Sequence, residues 1–332
     1  MRFIAPGEII MDRRSFSAGL VASLALPAMA RAQGAWPQGR NIKIVVPFAA
    51  GGATDIIARI MADKLGQMWN CSIVVDNKGG AGGNIGTEAA ARAEPNGETF
   101  LLVSVGLATN PYLYPKLGYD PVGDFAPVSL VAMVPNMLIA GKHLPVKNVA
   151  ELIAYGKANP GKLTYASSGV GTSIHLSGEL FKKLTGVELT HVPYRGSAPA
   201  IQDIMGGRVD VMFDNITSSL AQVRGGTLNG LAITTAKRSP FAPELPPVAD
   251  AVPGYDVSSW FAFFAPKKTP PEMVARMAAD TKIALTDPGV KSRLDALAAE
   301  SVGSTPAELA AFLAKESETW GKLIRDQGIR AE

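Results

Sequence analysis

Two stretches of small and polar residues carry the chemistry open to this chain. The first, Pro47-Phe48-Ala49-Ala50-Gly51-Gly52-Ala53-Thr54-Asp55, follows the apolar run Ile42-Lys43-Ile44-Val45-Val46 and leads directly into Ile56-Ile57-Ala58. The second, Ala166-Ser167-Ser168-Gly169-Val170-Gly171-Thr172-Ser173-Ile174-His175, follows a strand pattern ending at Tyr165 and runs into a helical pattern. A strand, a glycine-bearing loop and a helix start together make an anion seat. Glycine lets a ligand approach the backbone, and the first helical N–H groups lack partners inside the helix. The plain alternative is the tight strand-to-helix turn that every α/β protein contains. Pro193-Tyr194-Arg195-Gly196-Ser197-Ala198 repeats the theme, with Ser197 placed to cap a helix, and Asp214-Asn215 follows the apolar run 209–213. Each helix start favours an anion by about 0.3–1 kcal/mol. A backbone N–H bond to a charged acceptor adds about 1.5–3 kcal/mol. Three converging helix starts therefore suffice for a small carboxylate without a full salt bridge.

Other chemistries fit less well. Ser167, Ser168 and His175 imitate a nucleophile and base, but no Gly-x-Ser-x-Gly elbow accompanies them. The opening loop lacks the lysine of a P-loop and the spacing of a dinucleotide fingerprint. His143 and His191 stand isolated, and three histidines without clustered carboxylates predict no metal site and no cofactor. His175, between Ile174 and Leu176, reads as a packed helix residue, and Cys71 as a core filler in the strand pattern 71–75. Glu179 and Lys182-Lys183 read as a solvated helix face. Asp55 reads as a charge in the first turn of its helix, and Asp214 as either a cap or an acceptor for the ligand.

The elements that must hold these loops alternate. Strand patterns fall at residues 42–46, 71–75, 100–103, 162–165, 209–213, 228–235 and 258–264. Helical patterns fall at 55–68, 149–158, 172–184, 198–205 and 271–285. Such alternation predicts an α/β protein with largely parallel sheets covered on both faces. Thr305-Pro306-Ala307-Glu308 signals a helix start, and Asn159-Pro160-Gly161 a helix end. Two stretches, 125–140 and 256–266, read as crossings between domains. Open α/β sheets bind beyond the carboxyl ends of their strands, so the loops of both domains should face one cleft.

The beginning of the chain predicts export. Asp12-Arg13-Arg14-Ser15-Phe16 looks like a twin-arginine signal, followed by a short apolar run and the small-x-small sites Ala28-Met29-Ala30 and Ala30-Arg31-Ala32. Residues 1–32 are thus expected to be a cleavable signal peptide, with Met1 or Met11 as the start, and the periplasm as the destination. The full chain holds 32 Lys/Arg and 29 Asp/Glu; without residues 1–32 these become 28 and 27, a net charge of +1. So balanced a surface predicts no nucleic-acid partner. The apolar stretch 128–140 is broken by Ser129, Pro135 and Asn136, so no later membrane span is expected.

The order of these motifs resembles the receptors of the tripartite tricarboxylate transporter family, known as Bug receptors. The matching runs begin with 46–55 and Gly79-Gly80-Ala81-Gly82-Gly83-Asn84-Ile85-Gly86, then Asp120-Pro121-Val122-Gly123-Asp124-Phe125. They continue with 165–169, 171–176, 192–200, 209–215 and Thr234-Thr235-Ala236-Lys237-Arg238-Ser239. The likeness covers essentially the whole mature chain. It implies a type II periplasmic-binding-protein fold, two α/β domains joined by two crossover strands with the ligand cleft between them. Residues 33–135 plus 256–332 would form the first domain and 136–255 the second.

The resemblance also implies a monomeric solute receptor without catalysis, delivering a small organic carboxylate to the permease of a tripartite transporter. Its ligand-binding residues would be Phe48, Gly51, Gly52, Ala53, Thr54 and Ser104 from the first domain. Ser168, Gly169, Thr172, Ser173, Tyr194, Ser197, Ala198 and Asp214 would come from the second. Backbone N–H groups at 52–54 and 172–173, with the Thr54, Thr172 and Ser173 hydroxyls, would take the carboxylate; Phe48 would be an apolar wall. This chain departs from the family pattern at Ala49-Ala50, where proline is common beside Phe48, and at Arg195, where lysine is common. The ligand stays open among aliphatic di- and tricarboxylates, acidic amino acids, aromatic carboxylates and nicotinate-like molecules. A periplasmic sensor for a signalling system, and an exported enzyme acting through Ser168 or His175, are the competing readings.

Overall fold

Apolar strand residues with both faces covered organise the molecule. The computed structural model describes residues 36–331; the expected leader, its cleavage sites and the alternative start Met11 lie outside them. From Pro37 onward the chain forms one compact unit.

The first half runs β1 (Asn41–Val46), α1 (Ala53–Trp69), β2 (Ser72–Asn77), α2 (Asn84–Ala91), β3 (Thr99–Val103), α3 (Gly106–Leu113) and the long β4 (Phe125–Ala140). Then come α4 (Val149–Ala158), β5 (Thr164–Ser167), α5 (Ser173–Thr185), β6 (Thr190–Pro193), α6 (Ser197–Met205), β7 (Val211–Asn215), α7 (Ile216–Arg224) and β8 (Asn229–Ile233). The chain closes with β9 (Ser258–Pro266), α8 (Pro271–Thr286), α9 (Pro288–Asp295), β10 (Glu300–Ser301) and α10 (Pro306–Gln327). The expected strands and helices are present to within a few residues, while α2, α3 and α9 were not expected. Thr305 and Glu308 form the capping box anticipated for α10.

The sheet runs β2-β1-β3-β9-β4-β7-β5-β6, with β8 and β10 also on β4. It is mixed, not largely parallel as expected. Strands β2-β1-β3 and β7-β5-β6 form two parallel groups, while β9 and β4 join them through antiparallel pairs. The reason lies in β4. Its 16 residues, at about 3.4 Å each, extend on the order of 50 Å. It pairs with β9 through Pro135↔Ser258 and with β7 from Asn136↔Asn215 onward. Proline has no N–H to give a ladder, so a change of partner at Pro135 is a position it tolerates. Asn136 then donates its own N–H to Thr234 Oγ1 at 2.9 Å. Every residue of β9 after Ser258 is buried, as expected of a strand with covered faces.

Several local expectations need correction. Cys71 lies in the bend before β2 and is only partly buried, because left-handed Asn70 ends α1 and the strand begins at Ser72. Ser197 is the first residue inside α6, whose N-cap is Gly196. Glu179 is more than a solvated charge: it accepts the Tyr165 hydroxyl and pairs with Lys182.

Phe263 is fully buried in β9, in register with Leu102 of β3 and Ser129 of β4. Phe263→Ala is expected to cost about 3–5 kcal/mol of unfolding free energy. Urea denaturation measures it, and a loss below 1 kcal/mol would show that β9 is not held as described.

Candidate functional site

The loops that follow the parallel strands meet in one narrow, nearly closed cavity of about 20 Å³. The β1–α1 loop supplies Phe48, Gly52, Ala53 and Thr54; Ser104 follows β3; Ser168, Thr172 and Ser173 follow β5; Ser197 follows β6; Asn215 ends β7. This is the carboxyl side of both parallel groups, where open α/β sheets bind ligands. Among the described residues no acidic, basic or histidine side chain lines the cavity.

Its electrostatics come instead from four helix starts, one more than the sequence suggested. α1, α6 and α7 begin at Gly52, Gly196 and Asn215, none of which makes a side-chain cap bond. Their first-turn N–H groups therefore stay open. α5 is capped by Thr172, whose hydroxyl accepts from His175 N at 3.3 Å and donates to the Gly169 carbonyl at 2.8 Å. The Thr172 hydroxyl, expected to bind ligand, is thus engaged in the cap. Among the described residues the hydroxyls of Thr54, Ser168 and Ser173 have no intrachain partner, while Ser104 shares a hydrogen bond with Ser259 at 2.9 Å.

Five expected residues stand outside the cavity wall. Gly51 donates its N–H to Asp55, and a Cβ on it would meet Ala198 at 3.4 Å, so both seal the rim. Gly169 packs against Gly82. The Tyr194 hydroxyl turns away to Asp203 at 2.7 Å. Asp214 is fully buried behind the wall, accepting Ser197 Oγ at 2.6 Å and Ser218 Oγ at 2.8 Å. Asn215, expected only as a helix boundary, lines the wall in its place. Successive strand residues face opposite sides, so a shift of one position exchanges them. That alternation runs along Val211–Asn215, but which parity faces the cavity depends on the register of β7.

The cavity is shut by direct backbone contact. Ala49 N donates to the Arg195 carbonyl at 3.0 Å. A proline at 49 has no such N–H, and Arg195 contributes here its carbonyl, not its charge. On the other side, Thr109 Oγ1 donates to the Gly171 carbonyl at 2.5 Å. Gly82, at φ +63°, sits so close to the Val170 carbonyl that a Cβ would collide with it.

Buried groups hold the loops from behind. Asp55 is a case of competition: burial pushes its carboxyl up, but Arg59, the Gly51 N–H and Asn77 outweigh burial and hold it below the usual range. His191, expected to be isolated, lies in a stack with Tyr165 and His175, centroids 4.8 and 4.4 Å away. His191 Nε2 is 2.6 Å from Ser167 Oγ, which accepts the Gly169 N–H, while His175 Nδ1 accepts the Gly171 N–H at 3.3 Å. Burial, reinforced by Lys182, lowers His175 to about 4; burial and then His175 lower His191 to about 3. Both rings are neutral at physiological pH. Ser167 is wholly buried, so the Ser167–His191 pair has no route to a substrate. His143 pairs with Asp210. Among the described residues no three His, Cys, Asp or Glu side chains gather as metal ligands, and no helix is long and apolar enough to cross a membrane.

Comparison with known proteins places this geometry. The profile of the family described as "Tripartite tricarboxylate transporter family receptor" matches residues 57–329. An R. palustris protein solved with adipate is 41% identical, covering 89% of this chain and 99% of its own, at a TM-score of 0.86. The periplasmic binding protein BugD is 37% identical, with the same coverages and TM-score. MatC of Rhodopseudomonas palustris, solved with bound malate, is 33% identical over 86% of this chain and 99% of its own, at a TM-score of 0.82. The fold is accordingly that of periplasmic binding proteins.

Asp214 yields a signed pH prediction. Burial raises its carboxyl to about 6 against the hydrogen bonds of Ser197, Ser218, Ser219 and the Asn215 backbone. The folded state therefore holds this proton more tightly than the unfolded chain, and its contribution to stability falls as pH rises from about 4 to about 6. Asp55 and other carboxyls with lowered values slope the opposite way, so the measurement is the difference between wild type and Asp214→Asn. That difference should change by up to roughly 3 kcal/mol across the window; urea titrations at pH 4, 5, 6 and 7 giving a flat difference would contradict it.

Proposed function

Because the chain belongs to the tripartite tricarboxylate transporter family of receptors, we propose that it captures a small organic carboxylate outside the cytoplasm and hands it to the membrane permease of such a transporter, without chemical turnover. One observation carries this reading: a closed cavity walled by open helix N–H groups and free hydroxyls, with no cation in it. Such a wall attracts an anion through several weak, fixed dipoles. It also supplies no side-chain base to activate its hydroxyls. Adipate and malate, bound in two related structures, belong to the ligand class this wall suits.

Capture works by closure. Residues 33–135 with 256–332 act as one lobe and 136–255 as the other, hinged where β4 and β9 cross. The contacts Ala49–Arg195 and Thr109–Gly171 hold the shut state. Opening breaks them and exposes the helix starts; an anion bridging α1 and α5 favours the shut state by its differential affinity. Thr54 and the N–H groups at 53–54 meet the carboxylate from one lobe. Ser168, Ser173 and the N–H group at 173 meet it from the other, and Phe48 covers the carbon chain. The leader over residues 1–32 directs the protein to the periplasm, where it works as a monomer.

Trp260 is fully buried in β9 with its indole bound to Glu316, away from the cavity, so calorimetry is a better reporter than its fluorescence. Mature protein titrated with a panel of di- and tricarboxylates should give heat and a thermal shift, the latter reflecting about 2.7 kcal/mol at a hundredfold excess over Kd. Silence across the panel would refute the carboxylate reading. Gly52, at φ −85°, tolerates a side chain, and a Cβ there has 3.8 Å to Ser197 N. Gly52→Leu should therefore keep the wild-type circular dichroism and melting temperature while losing ligand binding by at least a hundredfold. Growth of a deletion strain on the ligand, against a reporter of gene expression, separates transport from sensing.

A further inference from the structure

The polarity of the cavity wall is uneven, and one of its side chains, Ser197, has its hydrogen-bonding sense fixed from behind. Ser197 Oγ is 2.6 Å from Asp214 Oδ1. An ionised carboxylate only accepts, so the single hydroxyl proton of Ser197 points into the protein and its lone pairs are left for the cavity. Ser218 donates to the other Asp214 oxygen at 2.8 Å and fixes the carboxylate. Asn215 Nδ2 donates to Asn136 Oδ1 at 2.6 Å, and Asn136 Nδ2 donates to Ser177 Oγ at 3.1 Å. Asn215 Oδ1 carries no intrachain hydrogen bond and is an acceptor open to the cavity, although Nδ2 keeps a second N–H. By contrast, Thr54, Ser168 and Ser173 have hydroxyls free to donate, beside the open N–H groups of α1 and α5.

We propose that Ser197 and Asn215 are specificity-determining acceptors that select a carboxylate carrying a hydrogen-bond donor, a hydroxyl or an ammonium, over the same carboxylate without one. This rests on the carboxylate reading and deepens it. The anionic end sits on the donor side formed by α1 and α5. The donor group meets Ser197 Oγ and Asn215 Oδ1. A ligand without it leaves two acceptors desolvated in a closed cavity with nothing to accept, which is costlier than omitting a bond in water. Asp214, raised to about 6 by burial, is ionised above neutral pH, which is the condition for this arrangement.

The test uses calorimetric Kd values at pH 8 in two series: succinate, malate and aspartate, then glutarate, 2-hydroxyglutarate and glutamate. Within each series only one substituent changes. The hydroxy or the amino acid should bind at least tenfold tighter than the plain diacid, and which of them does so identifies the donor. In Ser197→Ala, checked for a wild-type melting profile, that ratio should fall to within threefold. A wild-type ratio within threefold, or a ratio that survives Ser197→Ala, overturns the inference and leaves the carboxylate reading standing. Absence of binding in both series overturns the inference, whereas the carboxylate reading falls only with silence across the wider panel.

Discussion

Open backbone N–H groups at the first turns of α1, α5, α6 and α7 are the interaction on which the site depends. A helix start is weak as an anion site alone and its effect fades within a turn. Several act together only when their axes meet, and that requirement explains much of the rest. Three of the four begin without a side-chain cap, at Gly52, Gly196 and Asn215. A Ser, Thr or Asp turned inward at those positions would have occupied the N–H groups that the cavity needs. The exception, α5, keeps its cap at Thr172 and takes one N–H, at His175, leaving the earlier ones open.

Convergence of this kind needs a frame that bridges two parallel sheets. β4 and β9 provide it, pairing with each other along Phe125–Pro135 and reaching β3 on one side and β7 on the other. Their burial makes that frame stiff, whereas the contacts that shut the cavity are single hydrogen bonds: Ala49–Arg195 between loops, and Thr109 of α3 with Gly171. A stiff frame carrying loosely latched loops is what closure on a ligand demands. Behind the loops, neutral His175 and His191 and ionised Asp55 and Asp214 hold backbone or hydroxyl groups in place while keeping charge off the cavity wall.

Much of this was legible in the chain. Apolar runs such as Ile42-Lys43-Ile44-Val45-Val46, each followed by small residues, are strands delivering loops, because only glycine, alanine, serine and threonine let backbones approach closely there. The long run 125–140, apolar but for Ser129, Asn136 and its prolines, reads as a crossing between domains. The family resemblance, laid on those loops, names nine of the cavity residues: Phe48, Gly52, Ala53, Thr54, Ser104, Ser168, Thr172, Ser173 and Ser197. The exchange of Asn215 for Asp214 was not legible without the register of β7, since one residue of parity reverses which side chain faces the cavity.

Local pattern and composition thus determined the element order, the loops that form the site and the chemical character of their residues, because these depend on neighbours within a few positions. The tertiary structure alone decided the sense of the sheet, the fourth helix start, and the partners of His191, Glu179 and Asp214. Each of those rests on residues brought together from distant parts of the chain: Ser167 with His191, Tyr165 with Glu179, and Ser197 with Asp214. It also decided the direction of individual hydroxyl protons. A serine in a sequence both donates and accepts, and only the buried carboxylate behind Ser197 removes the choice.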